Sequence, residues 1–306
     1  MKILFLYYTG TYNTRFLTDL LIERWARKEY DSITRVEIDS KTPVIETKGY
    51  DLVALGYPIY GFNSPRPFNR YLRKLSFEKG QPYIIYKNSG ETFAMNDTSN
   101  RVIKRVMWHK KATFRGEYHF VMPYNIHFRF EDDFVRQILH YDRKLIDILS
   151  HDLKAGIVRR KKTNPIYQIA SFFVSIQKIG GNVNSFFYSV DSSKCLKCNL
   201  CVEKCPHENI YWKKGKIKFH HHCDMCMRCS FYCPANAIKI GFLEGWKVNG
   251  EYPLEKLSSE SGETPAYINK ESRGFYKCFI DTFAWIDEEH ERIFNPKSSL
   301  GNHPGE

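Results

Sequence analysis

Eight of the nine cysteines fall in two copies of one run. Cys195, Cys198, Cys201 and Cys205 precede Pro206, and Cys223, Cys226, Cys229 and Cys233 precede Pro234, so the spacing C-x2-C-x2-C-x3-C-P occurs twice. Thiolates at this density are soft ligands for iron–sulfur clusters or zinc, or they are disulfide partners. Zinc favours two separated ligand pairs, whereas each run here is an evenly spaced triplet with a trailing Cys-Pro. Disulfides need an oxidising compartment. The N-terminus offers no secretion signal: Lys2 precedes an apolar run from Ile3 to Tyr8, no small-residue cleavage site follows, and the run ends at a Thr-Gly turn, as a first strand would. Iron–sulfur chemistry in a cytoplasmic protein is the expectation.

The two runs resemble those of bacterial ferredoxins, for which this spacing is the known signature. The resemblance implies two [4Fe-4S] clusters, each taking three thiolates from one loop and the fourth from the other run. Cys195, Cys198 and Cys201 would share a cluster with Cys233, and Cys223, Cys226 and Cys229 with Cys205. The repeat extends past the ligands, because the shift from Cys195 to Cys223 also carries Pro206 onto Pro234 and Ile210 onto Ile238. Each half therefore reads as a cluster loop, a short turn and an apolar strand, with Ile210, Tyr211 and Trp212 matching Ile238, Lys239 and Ile240. So few apolar residues make a poor core, and the clusters must supply much of the folding free energy. His220, His221 and His222 precede Cys223 and read as a polar loop, since consecutive side chains point in different directions. Cys278 is left over and reads as a small buried hydrophobe.

Ahead of the cysteines the chain alternates strands and helices. Ile3 to Tyr8, Asp51 to Gly56, Tyr83 to Tyr86 and Tyr118 to Met122 are apolar runs suited to strands buried on both faces, with Thr34 to Asp39 a shorter alternating candidate. Thr14 to Lys28, Pro67 to Leu75, Ser99 to Lys111 and Asp132 to Leu149 read as helices, the first with Leu17, Leu20, Leu21 and Trp25 on one face. Pro67 suits a first helical turn. Strand and helix in turn predict an α/β fold with a doubly wound parallel sheet, whose ligand sits at the carboxyl ends of the strands.

The loop after the first strand is Thr9-Gly10-Thr11-Tyr12-Asn13-Thr14, running into a helix. Three threonine hydroxyls, an asparagine and helix N-terminal amides can surround a phosphate monoester. With one glycine it is neither the dinucleotide fingerprint nor a Walker loop. It is similar to the Ser-Gly-Thr-Gly-Asn-Thr phosphate loop of flavodoxins, which bind flavin mononucleotide (FMN). Tyr12 stands where flavodoxins have glycine, so this loop must turn with a side chain there. By the same resemblance, Gly56 and Tyr57-Pro58-Ile59-Tyr60-Gly61 would hold one side of the isoalloxazine ring, and Asn88-Ser89-Gly90-Glu91 the other. The aromatic residues Tyr57 and Tyr60 are equally at home as packing residues.

Together the features resemble the fused flavodoxin-ferredoxin proteins of anaerobes. The organisation expected is a flavodoxin-like FMN domain over 1–155, a linker-helix region over 156–190, a small α+β 2[4Fe-4S] ferredoxin domain over 191–245 and a C-terminal docking tail over 246–306. In the linker region Arg159, Arg160, Lys161 and Lys162 precede Pro165 and an apolar stretch from Ile166 to Ile176. It reads either as an amphipathic helix on an anionic membrane surface or, the favoured reading, as a helix packed between domains. The tail holds a Ser258-Ser259-Glu260-Ser261-Gly262 linker and an aromatic segment, Phe275, Tyr276, Phe279, Phe283 and Trp285, spaced like a docking helix.

The 306 residues carry a formal charge of +12. Residues 191–245 contain nine Lys or Arg against five Asp or Glu. Two oxidised clusters at about −2 each offset that excess, and a flavin phosphate would remove about two charges more. Nucleic acid is not expected as a partner, for no base-stacking motif accompanies the charge. No apolar stretch approaches the roughly 20 residues of a membrane span. The function expected is electron transfer between the clusters, FMN and redox protein partners. Two alternatives are an FMN-dependent reductase of a small molecule, with His119, His127 or Glu91 as proton donor, and an iron–sulfur redox sensor.

Overall fold

The apolar run at the N-terminus becomes a strand without a solvent face. Ile3 to Leu6 are fully buried in the computed structural model, which describes residues 1–26, 32–161, 163–174, 177–260 and 266–296. This strand, β1 (Lys2–Tyr7), is followed by α1 (Asn13–Ala26), β2 (Ser32–Glu37), β3 (Leu52–Pro58), α2 (Arg66–Lys74), β4 (Pro82–Ser89), α3 (Arg101–His109), β5 (Thr113–Val121) and α4 (Asp132–Ala155). The strands pair in parallel in the order β2-β1-β3-β4-β5, the flavodoxin-like arrangement. The chain leaves β1 in one direction to form β2 and in the other to form β3, so a crevice opens at their carboxyl ends.

One core layer holds Phe5, Leu17, Trp25, Tyr86 and Leu149 beneath α1 and α4, and the other holds Leu6, Tyr57, Phe68 and Met107 beneath α2 and α3. Helix α1 turns Leu17, Leu20, Leu21 and Trp25 inward, as its spacing requires, and Trp25 Nε1 donates to Ser150 Oγ of α4 at 2.9 Å. Helix α4 stops at Gly156, whose φ of 71° costs a residue without Cβ nothing. Strand β5 begins earlier than its apolar run suggests. Thr113, Phe114 and Arg115 are only partly covered on this edge strand and carry no buried alternation to betray them, and the ladder to β4 slips at Tyr83/Ile84.

Helices α5 (Pro165–Val174) and α6 (Gln177–Ser185) lead to β6 (Tyr188–Val190), α7 (Leu200–Glu203), β7 (Ile210–Lys213), β8 (Lys216–Phe219), α8 (Arg228–Phe231) and β9 (Ile238–Ile240). The two apolar strands of the repeat do not pair with each other: β9 runs antiparallel to β6, and β7 to β8. Strand β8 was hidden in a lysine-rich stretch; Gly215, with φ of 70°, turns the chain back on itself. The core here is as thin as expected, with Tyr188, Met227, Ile238 and Ile240 buried and cysteines packed around them.

The tail returns to the sheet domain as α9 (Leu254–Ser259) and α10 (Lys277–Phe294). Ser258 and Ser259 close α9, while Ser261 and Gly262 lie outside the described residues, as do Lys162 and Ile176. Helix α10 buries Phe279, Phe283 and Ile286, and Phe283 stacks on Tyr141 of α4 with centroids 4.0 Å apart. Among the described residues no helix is long and apolar enough to cross a membrane.

Candidate cofactor sites

The crevice between β1 and β3 is a cavity of about 630 Å³, within the range of small-molecule and cofactor sites. Its wall includes every residue of the first loop except Tyr12, then Pro58, Ile59, Tyr60 and Gly61 of the second, and Asn88, Ser89, Gly90 and Glu91 of the third. Thr14 Oγ1 donates to Asn88 Oδ1 at 2.7 Å and so ties the first loop to the third. Asn125 Nδ2 donates to Thr11 Oγ1 at 3.0 Å, and Asn13 Nδ2 to the carbonyl of Pro123 at 2.7 Å. The first amides of α1 have no intrahelical acceptors and give this end of the cavity a positive potential. Thr9 Oγ1, Tyr60 OH and Asn96 Oδ1 are buried polar atoms without a partner among the described residues, and all three residues line the cavity. Buried polar atoms left bare are costly, so the cavity suits a polar ligand such as FMN.

Of the loop candidates, Tyr12, Gly56 and Tyr57 lie outside the cavity wall. Tyr12 adopts the left-handed conformation, φ 64°, that glycine would take at no cost. Its ring lies 5.1 Å from the ring of Tyr232 and 4.7 Å from the Arg228 guanidinium, on the ferredoxin side of the loop. Tyr57 is fully buried on the opposite face of the sheet, beside Phe68 and within 3.2 Å of Ser99 Oγ.

The most consequential residue that the sequence did not single out is Arg228, inside the second cysteine run. It is buried, and it donates from Nε to the carbonyl of Gly10 at 2.6 Å and from Nη2 to the carbonyl of Thr9 at 2.7 Å and to Glu37 Oε1 at 3.0 Å. Tyr232 OH donates to the carbonyl of Thr11 at 2.9 Å. Three successive carbonyls of the loop are thereby turned toward the ferredoxin domain, away from a site that would hold an anion. Gly10 is sterically required: a Cβ there would stand 2.2 Å from Tyr60 OH and 2.7 Å from the Cys226 carbonyl. Only motif position could have hinted at Arg228, since an arginine between cysteines reads as charge compensation.

The cysteine loops repeat in backbone as well as in sequence. The shift that carries Cys195 to Cys223 carries the left-handed residues Lys197 (φ 54°), Asn199 (66°) and Glu208 (51°) onto Met225 (51°), Met227 (60°) and Asn236 (47°). It also carries the bond from Asn209 N to Cys205 Sγ, 3.3 Å, onto that from Ala237 N to Cys233 Sγ, 3.2 Å. Burial first, and then the neighbouring Cys233, Cys198 and Cys195, push the Cys201 thiol up to about 11. Burial, with Cys226 and Cys205 contributing, likewise raises Cys223 to about 12. Cys205, Cys223, Cys226 and Cys229 line one small cavity. Among the described residues no three His, Cys, Asp or Glu side chains close on a single metal-ion position. Thiolates around a cube bind separate iron atoms, so convergence on one point is not what a cluster asks for.

Two further walls of the large cavity come from outside the three loops. The exit of β5, Met122 to His127, forms one, and Tyr124 OH donates to Glu91 Oε2 at 2.5 Å. Cys223, Asp224, Met225 and Met227 form the other. His119 is not part of the wall; it is hydrogen-bonded with Ser89 Oγ at 2.7 Å, and burial holds its pKa well below the usual range.

The family described as 4Fe-4S binding domain matches residues 188–211, which include the first cysteine run. An uncharacterized ferredoxin of Methanocaldococcus jannaschii is 38% identical over 56 residues, 17% of this chain and 73% of that one. Dihydromethanopterin reductase (acceptor) of Methanosarcina mazei is 33% identical over 99 residues, and the match spans 29% of this chain and only 41% of the reductase. Among solved structures, oxidised Flavodoxin 2 from Bacillus cereus aligns over 51% of this chain and 99% of its own, with 15% identity and a TM-score of 0.39. With its own strand order and cysteine runs, the chain belongs to the ferredoxins, as an electron-transfer iron–sulfur protein in which a ferredoxin domain is fused to a flavodoxin-like one.

Proposed function

We propose that the chain carries electrons among two [4Fe-4S] clusters, one FMN and external redox proteins. One observation carries the reading: the cavity bounded by the three flavodoxin-type loops is also walled by Cys223, Asp224, Met225 and Met227 of the second cysteine run. A flavin there and a cluster on that run would be neighbours across a few side chains. Clusters exchange single electrons and a flavin exchanges one or two, so the pair converts between the two kinds of partner.

The proposed ligands are Cys195, Cys198, Cys201 and Cys233 for one cluster, and Cys223, Cys226, Cys229 and Cys205 for the other. The thiol neighbourhoods and the repeated backbone support this exchange of the fourth ligand. Thr9, Thr11, Asn13 and Thr14 with the amides of α1 would hold the flavin phosphate, while Ile59, Tyr60 and the Asn88–Glu91 segment would flank the ring. The N–H groups of Asn209, Met225 and Ala237, bonded to the sulfurs of Cys205, Cys223 and Cys233, would raise the cluster potentials by stabilising added negative charge. Anaerobic purification with iron, sulfide and flavin quantitation tests the whole proposal. About eight irons and about one flavin per chain are expected; about four irons would remove the second cluster, and no flavin after reconstitution would remove the flavin half.

A second reading, reduction of a small molecule above the flavin, is favoured by the extent of the cavity past the loops to His127, Phe242 and Trp246. Turnover of a defined substrate by the isolated protein would establish it.

A further inference from the structure

Helix α5 wears its apolar residues on the outside. Ile166, Ile169 and Phe173 stand at i, i+3 and i+7, one stripe of a helix, and are 69%, 61% and 62% exposed, whereas Ser171 is buried. A helix packed between domains would show the reverse. Val174, the last residue of α5, lines the large cavity together with Phe242 and Trp246 of the turn after β9. Phe242 and Trp246 are themselves exposed, and Phe242 lies 4.4 Å from the exposed ring of Phe187. Exposed apolar residues gathered beside one cavity in this way mark a contact site.

A basic surface adjoins it. Neither α2 nor α3 contains an acidic residue, and Arg73, Arg101 and Arg105 line one cleft between them. Arg101 Nη1 donates to the carbonyl of Gln168 at 3.2 Å, which sets this cationic face directly beside α5. The net charge of the chain is thus not spent only on compensating clusters; part of it is concentrated here.

We propose that this face docks on an anionic lipid bilayer. The α5 stripe, Phe242 and Trp246 enter the boundary between headgroups and acyl chains, and the arginines of α2 and α3 lie against lipid phosphates. Aliphatic and aromatic residues bordered by arginine are the composition of interfacial elements. A nucleic acid would satisfy the arginines but not the aliphatic stripe. A second copy would bring two cationic faces together and be repelled. The inference stands on exposure and charge, independently of the flavin; with the flavin in place, it would open the cavity mouth at the lipid–water boundary.

The test is co-sedimentation of the full chain, purified anaerobically with its clusters, with vesicles of phosphatidylcholine alone or mixed with phosphatidylglycerol. Binding is expected to the mixed vesicles, weakening at high salt. The pair Ile166→Glu and Ile169→Glu should lower it about tenfold or more, with cluster absorbance unchanged, and Arg73→Glu with Arg105→Glu should abolish the preference for phosphatidylglycerol. The proposal is overturned by absence of vesicle binding, by binding indifferent to both pairs of substitutions, or by a dimer in solution that the isoleucine substitutions dissociate. Absence of vesicle binding together with variant-sensitive binding to an acidic redox protein would reassign the face to that partner.

Discussion

Arg228 reaches from between Cys226 and Cys229 to donate a 2.6 Å hydrogen bond to the carbonyl oxygen of Gly10, in the loop between the first strand and the first helix. A cysteine loop and a phosphate-type loop, more than two hundred residues apart in sequence, therefore share one guanidinium. If the clasp orients the loop, Arg228→Gln should weaken FMN binding while leaving the clusters in place. Charge-assisted hydrogen bonds of this kind are worth about 1.5–3 kcal/mol each, so loss of about one of them gives roughly ten- to hundredfold weaker binding. Fluorescence-quenching titration of FMN, with cluster absorbance as the control, reads the effect. Arg228→Lys should recover part of it, and an unchanged affinity in Arg228→Gln would mean that the loop holds its shape unaided.

Gly10→Ala should be worse than its single methyl suggests. The new Cβ would approach the Tyr60 hydroxyl and the Cys226 carbonyl at 2.2 and 2.7 Å. The hydroxyl can swing away, but the carbonyl belongs to a loop fixed by its cysteines, so the two domains must separate slightly. A loss of about 1–3 kcal/mol is expected in urea unfolding. Adding Tyr60→Phe should relieve only part of it; complete rescue would show that the backbone contact is soft.

Removing iron with a chelator should unfold the cysteine domain and spare the sheet. The buried core around the cysteines is Tyr188, Met227, Ile238 and Ile240, supported by two two-stranded ribbons, which is too little to stand without the clusters. Hydrogen exchange should accelerate across β6 to β9 and remain slow in β1, β3 and β4. Because Arg228 and Tyr232 belong to the part that unfolds, flavin affinity should fall in the same sample. Uniformly slow exchange after iron loss would sink this account.

The parallel sheet was legible because β1, β3 and β4 are buried on both faces and therefore read as unbroken apolar runs. The three loops could be picked out in sequence because each is a short contiguous segment at the end of a strand, and the fold brings residues of all three to one cavity. What escaped depends on contacts distant in sequence. The start of β5 lies on a sheet edge, where pairing needs no apolar pattern, and β8 is written in lysines around Gly215. Arg228 looks like an ordinary basic residue until the fold sets it beneath Gly10. Tyr12 breaks the flavodoxin pattern in sequence, yet its side chain finds Tyr232 and Arg228, residues that flavodoxins without a ferredoxin domain would not offer. The linker helix α5 is apolar in sequence, but only the fold reveals which way its apolar side faces.

Asp142 is a buried carboxyl that accepts one hydrogen bond, from Val121 N to Oδ1 at 3.3 Å, while Oδ2 has no partner among the described residues. Burial raises its pKa well above the ordinary 3.8. The folded state then holds a proton that the unfolded chain releases, so the contribution of this residue to stability falls as pH rises above about 4 and toward the folded pKa. Asp142→Asn keeps an oxygen for Val121 and removes the titration. It should be more stable than the parent at neutral pH by about 1–3 kcal/mol, with the gap closing in acid. A gap that is constant with pH would argue that Asp142 does not titrate differently in the two states.

Helix α10 is held to α4 by two ring contacts, Phe283 on Tyr141 and Phe279 against Phe134, by buried Ile286 and by the polar bonds beside them. Phe283 lies parallel to Tyr141, with an interplanar angle of 6°, and is 4% exposed. Tyr141 OH donates to Asp287 Oδ2 at 2.7 Å, and Lys144 Nζ to Asp287 Oδ1 at 2.5 Å, one turn further along α10. Phe283→Ala removes a buried ring and leaves a cavity, at a cost of about 3–5 kcal/mol. Tyr141→Phe keeps the stack and removes only a partly exposed hydrogen bond, costing about 0.5–1.5 kcal/mol. Because both ring and hydroxyl act through the same pair of helices, the double variant should lose less than the sum of the two. Hydrogen exchange should then show α10 opening on its own while the sheet stays closed. If Phe283→Ala instead lowers the stability of sheet and helix alike, α10 is part of the cooperative core and not a docked strap.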